Sequence, residues 1–333
     1  MVKRRMVRYV GLLTLISLLV FAAIGCAGDD TSSDEDTFVV GITQILEHDS
    51  LDAAREGFID GLKDSGYIEG ENIVFDFKNA QNDKSNALTI AQKFVNDGVD
   101  MIFAISTPSA QSVAQVTSEI PILITAVTDP VDAGLVKSME KPGTNVTGTT
   151  DMNPIYEQLE LVKEFVPDAE NIGVIYNAGE DNSVVQVEIA KEAAGELGFN
   201  LVEASVATTA DVSQAAASLA GRVDAIYIPT DNTVVAALDT VLKVAEENKI
   251  PVLAGEGDTV KNGALATIGI EYYGLGRQTG EMAAKLLKGE GEPSTMPVES
   301  QKDLRLYINK TAAATMGVEI PDELLRRADE IFE

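Results

Sequence analysis

From Thr37 onward the chain alternates short apolar runs with amphipathic stretches of helical period, and it does so twice over, which confines it to parallel α/β architecture. The first series has strand candidates at 38–43 (FVVGIT), 73–77, 101–106, 122–127 and 145–150, with helices expected near 50–65, 84–97, 108–118 and 131–139. In the first of these helices Leu51, Ala54, Phe58, Leu62 and Ser65 recur at three- and four-residue steps, forming one buried stripe that Gly66 ends. The second series places strands at 172–177 (IGVIYN), 200–206, 225–230, 251–255 and 264–270, with helices near 154–166, 183–197, 210–220 and 232–248. Each series has the length of a small domain, so the fold class is α/β with two Rossmann-like lobes on parallel sheets. The tail then breaks the alternation with one long helix over 271–290, a strand at 304–309 and a last helix from Pro321. A tail of this kind returns to both lobes and makes a multi-crossing hinge. Lobe 1 is expected over 38–150 plus about 271–297, and lobe 2 over 151–270 plus about 298–333.

The first 26 residues have a different physics. Lys3, Arg4, Arg5 and Arg8 precede an uncharged apolar run that ends in Ala22, Ala23 and Gly25 and meets Cys26, the chain's one cysteine. That is the shape of a signal peptide over 1–25, although the run from Tyr9 to Ala27 approaches the length of a membrane span. The stretch that follows, 26–37, is acidic and polar and reads as a linker.

Charge and composition narrow the function. With 25 Lys+Arg against 53 Asp+Glu the formal charge is -28, which repels a phosphate backbone, so nucleic acid is not expected as a partner. One Cys and one His cannot build a Cys/His zinc site, and no metal or cofactor is implied. There is no G-x-S-x-G elbow for His48 to serve and no phosphate-binding P-loop. The glycines of Gly274-Leu-Gly276-Arg277-Gln-Thr-Gly280 miss the dinucleotide spacing and read as close helix packing.

In open α/β sheets ligands bind beyond the carboxyl ends of the strands, beside helix N-termini. Those junctions carry Gln44 after the first strand, Ser106-Thr107-Pro108 after the third and Thr128-Asp129-Pro130 after the fourth. Thr107 suits a helix N-cap and Pro108 the first helical position. In the second lobe they carry Tyr176, Asn182 and Ser183, then Thr230, Asp231 and Asn232, then Glu256. Any one of these residues is explained by capping alone; their number on one edge of both lobes points to a ligand cleft between them.

Five segments resemble a known family: EHDSLDAAREGFIDGLKDSGY, STPSAQ, TDPVDAGLVKSMEKPGTNVTG, IPTDNTVV and GALATIGIEYYGLGRQTGEMAAKLLKGE. They are similar to the tryptophan/tyrosine-type ABC transporter substrate-binding lipoproteins, over nearly the whole chain from Val39 to Ile331. AIGC at 23–26 resembles the lipobox of such proteins, with Ala23 where Leu is usual. The resemblance implies a class I periplasmic-binding-protein fold that closes on a small molecule, an aromatic amino acid in the best understood members. It also implies delivery to a permease driven by an ATPase, no catalysis, an extracytoplasmic location and a lipid on Cys26 holding the protein at the membrane. A monomer suits a two-lobed binder. Residue by residue it implies Ser106, Thr107, Thr128 and Asp129 in the first lobe and Asn182, Ser183, Thr230, Asp231 and Asn232 in the second, with Gly255-Glu256 where the family often has a Ser-Asp pair. The hypothesis built on it gives an α-carboxylate to Ser106, Thr107 and Thr128, an α-ammonium to Asp231 or Glu256, and an apolar wall to Tyr176, Tyr272 or Phe103. A branched-chain amino acid, a nucleoside, or a sensory role without transport are the alternatives.

Overall fold

The computed structural model describes residues 37–301 and 304–333. The signal peptide of 1–25, the lipid attachment at Cys26 and, apart from Thr37, the acidic linker lie outside the described residues. Five parallel strands, β1 (Phe38–Gln44), β2 (Ile73–Asn79), β3 (Met101–Ile105), β4 (Ile122–Val127) and β5 (Val146–Thr150), pair in the order β5-β4-β3-β1-β2. Along β3, Met101, Phe103 and Ile105 face one hydrophobic cluster while Ile102 and Ala104 face another, the two-residue period of a strand buried on both sides. Helices α1 (Asp49–Asp64), α2 (Lys84–Asp97) and α3 (Thr107–Ala114) are the crossovers of this sheet.

The second sheet repeats the design. Strands β6 (Asn171–Asn177), β7 (Asn200–Val206), β8 (Ala225–Ile228), β9 (Val252–Ala254) and β10 (Ala266–Gly269) pair in the order β10-β9-β8-β6-β7, again parallel. Its helices are α4 (Ile155–Phe165), α5 (Asp181–Leu197), α6 (Val212–Leu219), α7 (Asn232–Val235), α8 (Leu238–Asn248) and α9 (Gly257–Lys261). Both sheets therefore have the doubly wound 2-1-3-4-5 order, with a switch point between β1 and β3 and another between β6 and β8.

The tail crosses back. Helix α10 (Tyr272–Leu287) lies on α1 of the first lobe, and β11 (Glu299–Ser300) pairs with β5. Strand β12 (Arg305–Asn309) is antiparallel to β10, and α11 (Lys310–Met316), α12 (Asp322–Arg327) and β13 (Glu330–Phe332) complete the second lobe. Three crossings result: after β5, after β10 and after β11. The segment 298–300, expected with lobe 2, belongs to the first sheet, because Glu299 and Ser300 register with Thr149 and Thr150.

Three local expectations are corrected. No helix forms over 131–139: Asp129 Oδ1 accepts from Val131 N and Asp132 N, Leu135 N and Val136 N both return to Pro130 O, and Gly134 turns left-handed, leaving a chain of turns. The single helix of 232–248 is two, broken at Ala236 and Ala237 without a Gly or Pro to announce it. Thr107 is the first helical residue of α3 rather than its cap; Ser106 occupies the cap position and makes no capping bond. The glycine run at 274–280 is helix packing, since Gly276 and Gly280 of α10 meet the backbone of α1 at Ala54 and Phe58.

Candidate ligand-binding site

The loops beyond both switch points face one another, and a small cavity lies between the lobes there. From the first lobe it is lined by His48, Ser50, Leu51, Ala126 and Tyr272, and from the second by Asn182, Thr230, Asp231, Asn232, Val235 and Glu256. Asp151, in the first crossing segment, completes the wall.

Each acid in this wall is held by a distinct local device. Asp231 caps α7 through Val234 N (2.8 Å), and its other oxygen accepts from Asn177 N (2.6 Å), across the switch point, and from Ser183 Oγ (2.6 Å). Glu256 caps α9, accepting from Asp258 N (2.7 Å), Thr259 N (3.0 Å) and the Thr259 hydroxyl. Asp151 accepts from Thr128 Oγ1 (3.2 Å) and from the Tyr272 hydroxyl, which stands just after the second crossing. Asp151, Asp231 and Glu256 are all buried, and among the described residues no Lys or Arg lines the cavity.

Burial raises the protonation range of all three. It pushes the Asp231 and Asp151 carboxyls up against the pull of their hydrogen-bond donors. Glu256 is pushed up to about 7 by burial and by the charge of Asp258. Behind Asp231 lies Glu180, also buried, held by Asn177, Asn232 and Thr233 and pushed up to about 7 by burial and by Asp231. Burial outweighs the nearby Asp52 and Asp49 at His48 and lowers it to about 4, so the ring is neutral at pH 7; its Nδ1 and the Oδ1 of Asn182 are buried without a partner.

A pH dependence follows. Glu180 and Glu256 hold protons more tightly folded than unfolded, so the stability they contribute is complete below the ordinary glutamate value and is lost as pH rises through about 7. His48 has the opposite sense, costing stability only as pH falls from its unfolded value of 6.5 towards about 4. Lowering the pH from 8 to 6.5 should therefore stabilise the ligand-free protein by of order 1 kcal/mol per glutamate, a rise of a few degrees in calorimetric Tm. A flat Tm over that interval would mean that both glutamates are solvated.

The strand-end residues named from sequence separate into groups. Asn182, Thr230, Asp231, Asn232 and Glu256 line the cavity. Ser183 positions Asp231, and Thr128 donates to Asp151. Ser106 and Thr107 stand one strand over from Ala126, outside the wall; their hydroxyls are buried and unpartnered. Both strand ends are strained, Ser106 at φ 83 and Ala126 at φ 54, a conformation that non-glycine residues adopt at a cost and that gathers at functional positions. Gln44 is committed elsewhere, donating to Leu46 O and Asp52 Oδ1 and accepting from Arg55. Asp129 only closes its turn. Of the three aromatic candidates, Tyr272 alone reaches the cavity: Tyr176 points its hydroxyl to Glu203 on β7, and Phe103 is stacked on Phe58 in the core. Asp151, Ser50, Val235 and Glu180 were not singled out from sequence, and Leu51 was read only as part of a buried helical stripe.

The lobes are bound to each other around the cavity. Lys84 Nζ donates to Gly179 O (2.7 Å), Gln111 Nε2 to Asp181 Oδ2 (2.7 Å), Asn82 Nδ2 to Thr233 Oγ1 (3.1 Å) and Asn262 Nδ2 to Asp49 Oδ2 (2.8 Å). Two doubly wound lobes, three crossings and a buried cavity at the facing switch points define a class I periplasmic-binding-protein fold, a binder that closes on its ligand. Residues 39–332 match the family model of the ABC transporter substrate binding protein, and the chain belongs to that family. It is 48% identical to a tyrosine-binding protein of Clostridioides difficile (strain R20291), over 84% of this chain and 81% of that one. Among solved structures, the ABC domain in complex with L-Trp from Streptococcus pneumonia is 35% identical, with a TM-score of 0.86 over 89% of this chain and 100% of that one. The ligand-free, open structure of CD0873, a substrate binding protein with adhesive properties from Clostridium difficile, is 49% identical over 89% of this chain and 99% of that one, but its TM-score is 0.68. The chain thus follows the backbone of the ligand complex more closely than that of a nearer relative described as open, in keeping with the bonds that clasp its lobes. Function of this class lies outside the cytoplasm, with an ABC transporter.

Proposed function

We propose that this protein binds an amino acid, an aromatic one such as tyrosine or tryptophan, and presents it to its ABC permease without transforming it. The observation that carries the reading is the cavity between the lobes, whose wall holds three buried carboxylates and, among the described residues, no side-chain cation. Buried charge demands a partner, and a ligand ammonium supplies one that a sugar or nucleoside lacks. Tyr272 offers the flat wall for an aromatic side chain, and the relatives named for tyrosine and L-Trp support the same choice. In the same reading Cys26, at the end of AIGC, carries the lipid that keeps a monomeric binder at the membrane face.

A thermal-shift screen of the purified protein against amino acids, sugars and nucleosides tests this. L-tyrosine or L-tryptophan at about 100 times its Kd should add about 2.7 kcal/mol of stability, seen as a Tm rise of several degrees. A rise with a sugar or nucleoside and with no amino acid would exclude the reading.

A further inference from the structure

Three buried carboxylates line the cavity, and the count of their hydrogen-bond donors distinguishes them. A carboxylate offers about four acceptor sites. Asp231 accepts from Asn177 N, Ser183 Oγ and Val234 N, two of them rigid backbone amides. Glu256 receives Asp258 N, Thr259 N and the Thr259 hydroxyl. Asp151 receives only two side-chain donors, both rotatable hydroxyls, one of them long at 3.2 Å; its own amide goes to Val127 O at 3.3 Å. We infer that Asp151 receives the ligand's ammonium group and so sets the preference for amino acids over analogues that lack the amine.

The position of Asp151 supports the assignment independently. It stands in the first crossing, and Tyr272, which donates to it, follows the second, so the carboxylate lies at the pivot about which the lobes turn. A group there keeps its place as the cleft opens and shuts. Opposite it, the unpartnered Asn182 Oδ1 of the second lobe is a neutral acceptor for another ammonium proton on closure. Asp231 and Glu256, each held by three donors, are then caps that shape α7 and α9 at the cavity wall.

The inference rests on the amino-acid reading above, and the test separates the two. Isothermal titration calorimetry compares L-tyrosine with 3-(4-hydroxyphenyl)propionate, which keeps the ring and carboxylate and lacks the amine. In Asp151→Asn both hydroxyls can still be satisfied, Tyr272 donating to the amide oxygen and Thr128 accepting from the amide nitrogen. The substitution should weaken L-tyrosine about 100-fold, the loss typical of a buried charge partner, while the analogue changes less than about threefold. Equal losses for both ligands would overturn the assignment. So would a loss confined to L-tyrosine in Asp231→Asn or Glu256→Gln, variants that decide the matter even if Asp151→Asn does not fold. If the unaltered protein binds the analogue as tightly as L-tyrosine, or binds neither, the amino-acid reading itself fails.

Discussion

Replacing Gly276 by alanine should cost at least about 3 kcal/mol of stability, a large loss for one added methyl group. An alanine Cβ at 276 would stand 1.9 Å from Ala54 O, and at 57 it would stand 2.0 Å from Tyr273 O. The obstacle in each case is backbone, which no rotamer change can move. Helices α1 and α10 must therefore separate along their length, loosening the cluster of Phe58, Leu62, Met282 and Ala283 that covers one face of the first sheet. The same substitution at Gly195, an exposed position in α5 with nothing within 4 Å of the added Cβ, should stabilise by about 0.5 to 1 kcal/mol through the unfolded chain. Urea unfolding of the two variants measures both. Losses of similar size at 276 and 195 would show that helix propensity, and not the contact between α1 and α10, governs the result. Because α10 also begins at Tyr272, separation should weaken ligand binding as well.

The doubled α/β order was legible because buried parallel strands are continuous apolar runs, as in ILITAV and AIYIPT, whose burial leaves them little other choice. The junction residues of the second lobe were legible for a related reason: strand-to-helix turns need Asp, Asn, Ser or Thr, so the chemistry and the capping share one code. That shared code also misled, since Asp129 and Gln44 satisfy only their own neighbourhoods. Tyr176 misled by position: it stands next to the cleft end of β6 but on the face towards Glu203. Asp151 left no signal, because a crossing segment has neither periodicity nor cap, and its burial arises only when strands β4 and β5 and the start of α10 come together. Glu180 likewise reads as a surface acid in YNAGEDNS and becomes buried through contacts with residues 52 and 53 positions further on.

Truncating Asp231 should be the most damaging single change in the second lobe. In Asp231→Ala the Asn177 N–H, the Ser183 hydroxyl and the Val234 N–H lose their acceptor in a site with no exposed surface. Stranding buried donors in this way costs about 3 to 5 kcal/mol. Part is returned, since Glu180 loses the repulsion that helps push its protonation range upward. Asp231→Asn should fall between: its oxygen can take the place that accepts both Asn177 N and Ser183 Oγ, but its amide nitrogen then confronts the Val234 N–H. Urea unfolding at pH 7, without ligand, should rank wild type above Asn and Asn above Ala. An alanine variant within about 1 kcal/mol of wild type would mean that water reaches those donors. Asp231 would then be free to meet a ligand directly, and the division of labour with Asp151 would have to be redrawn.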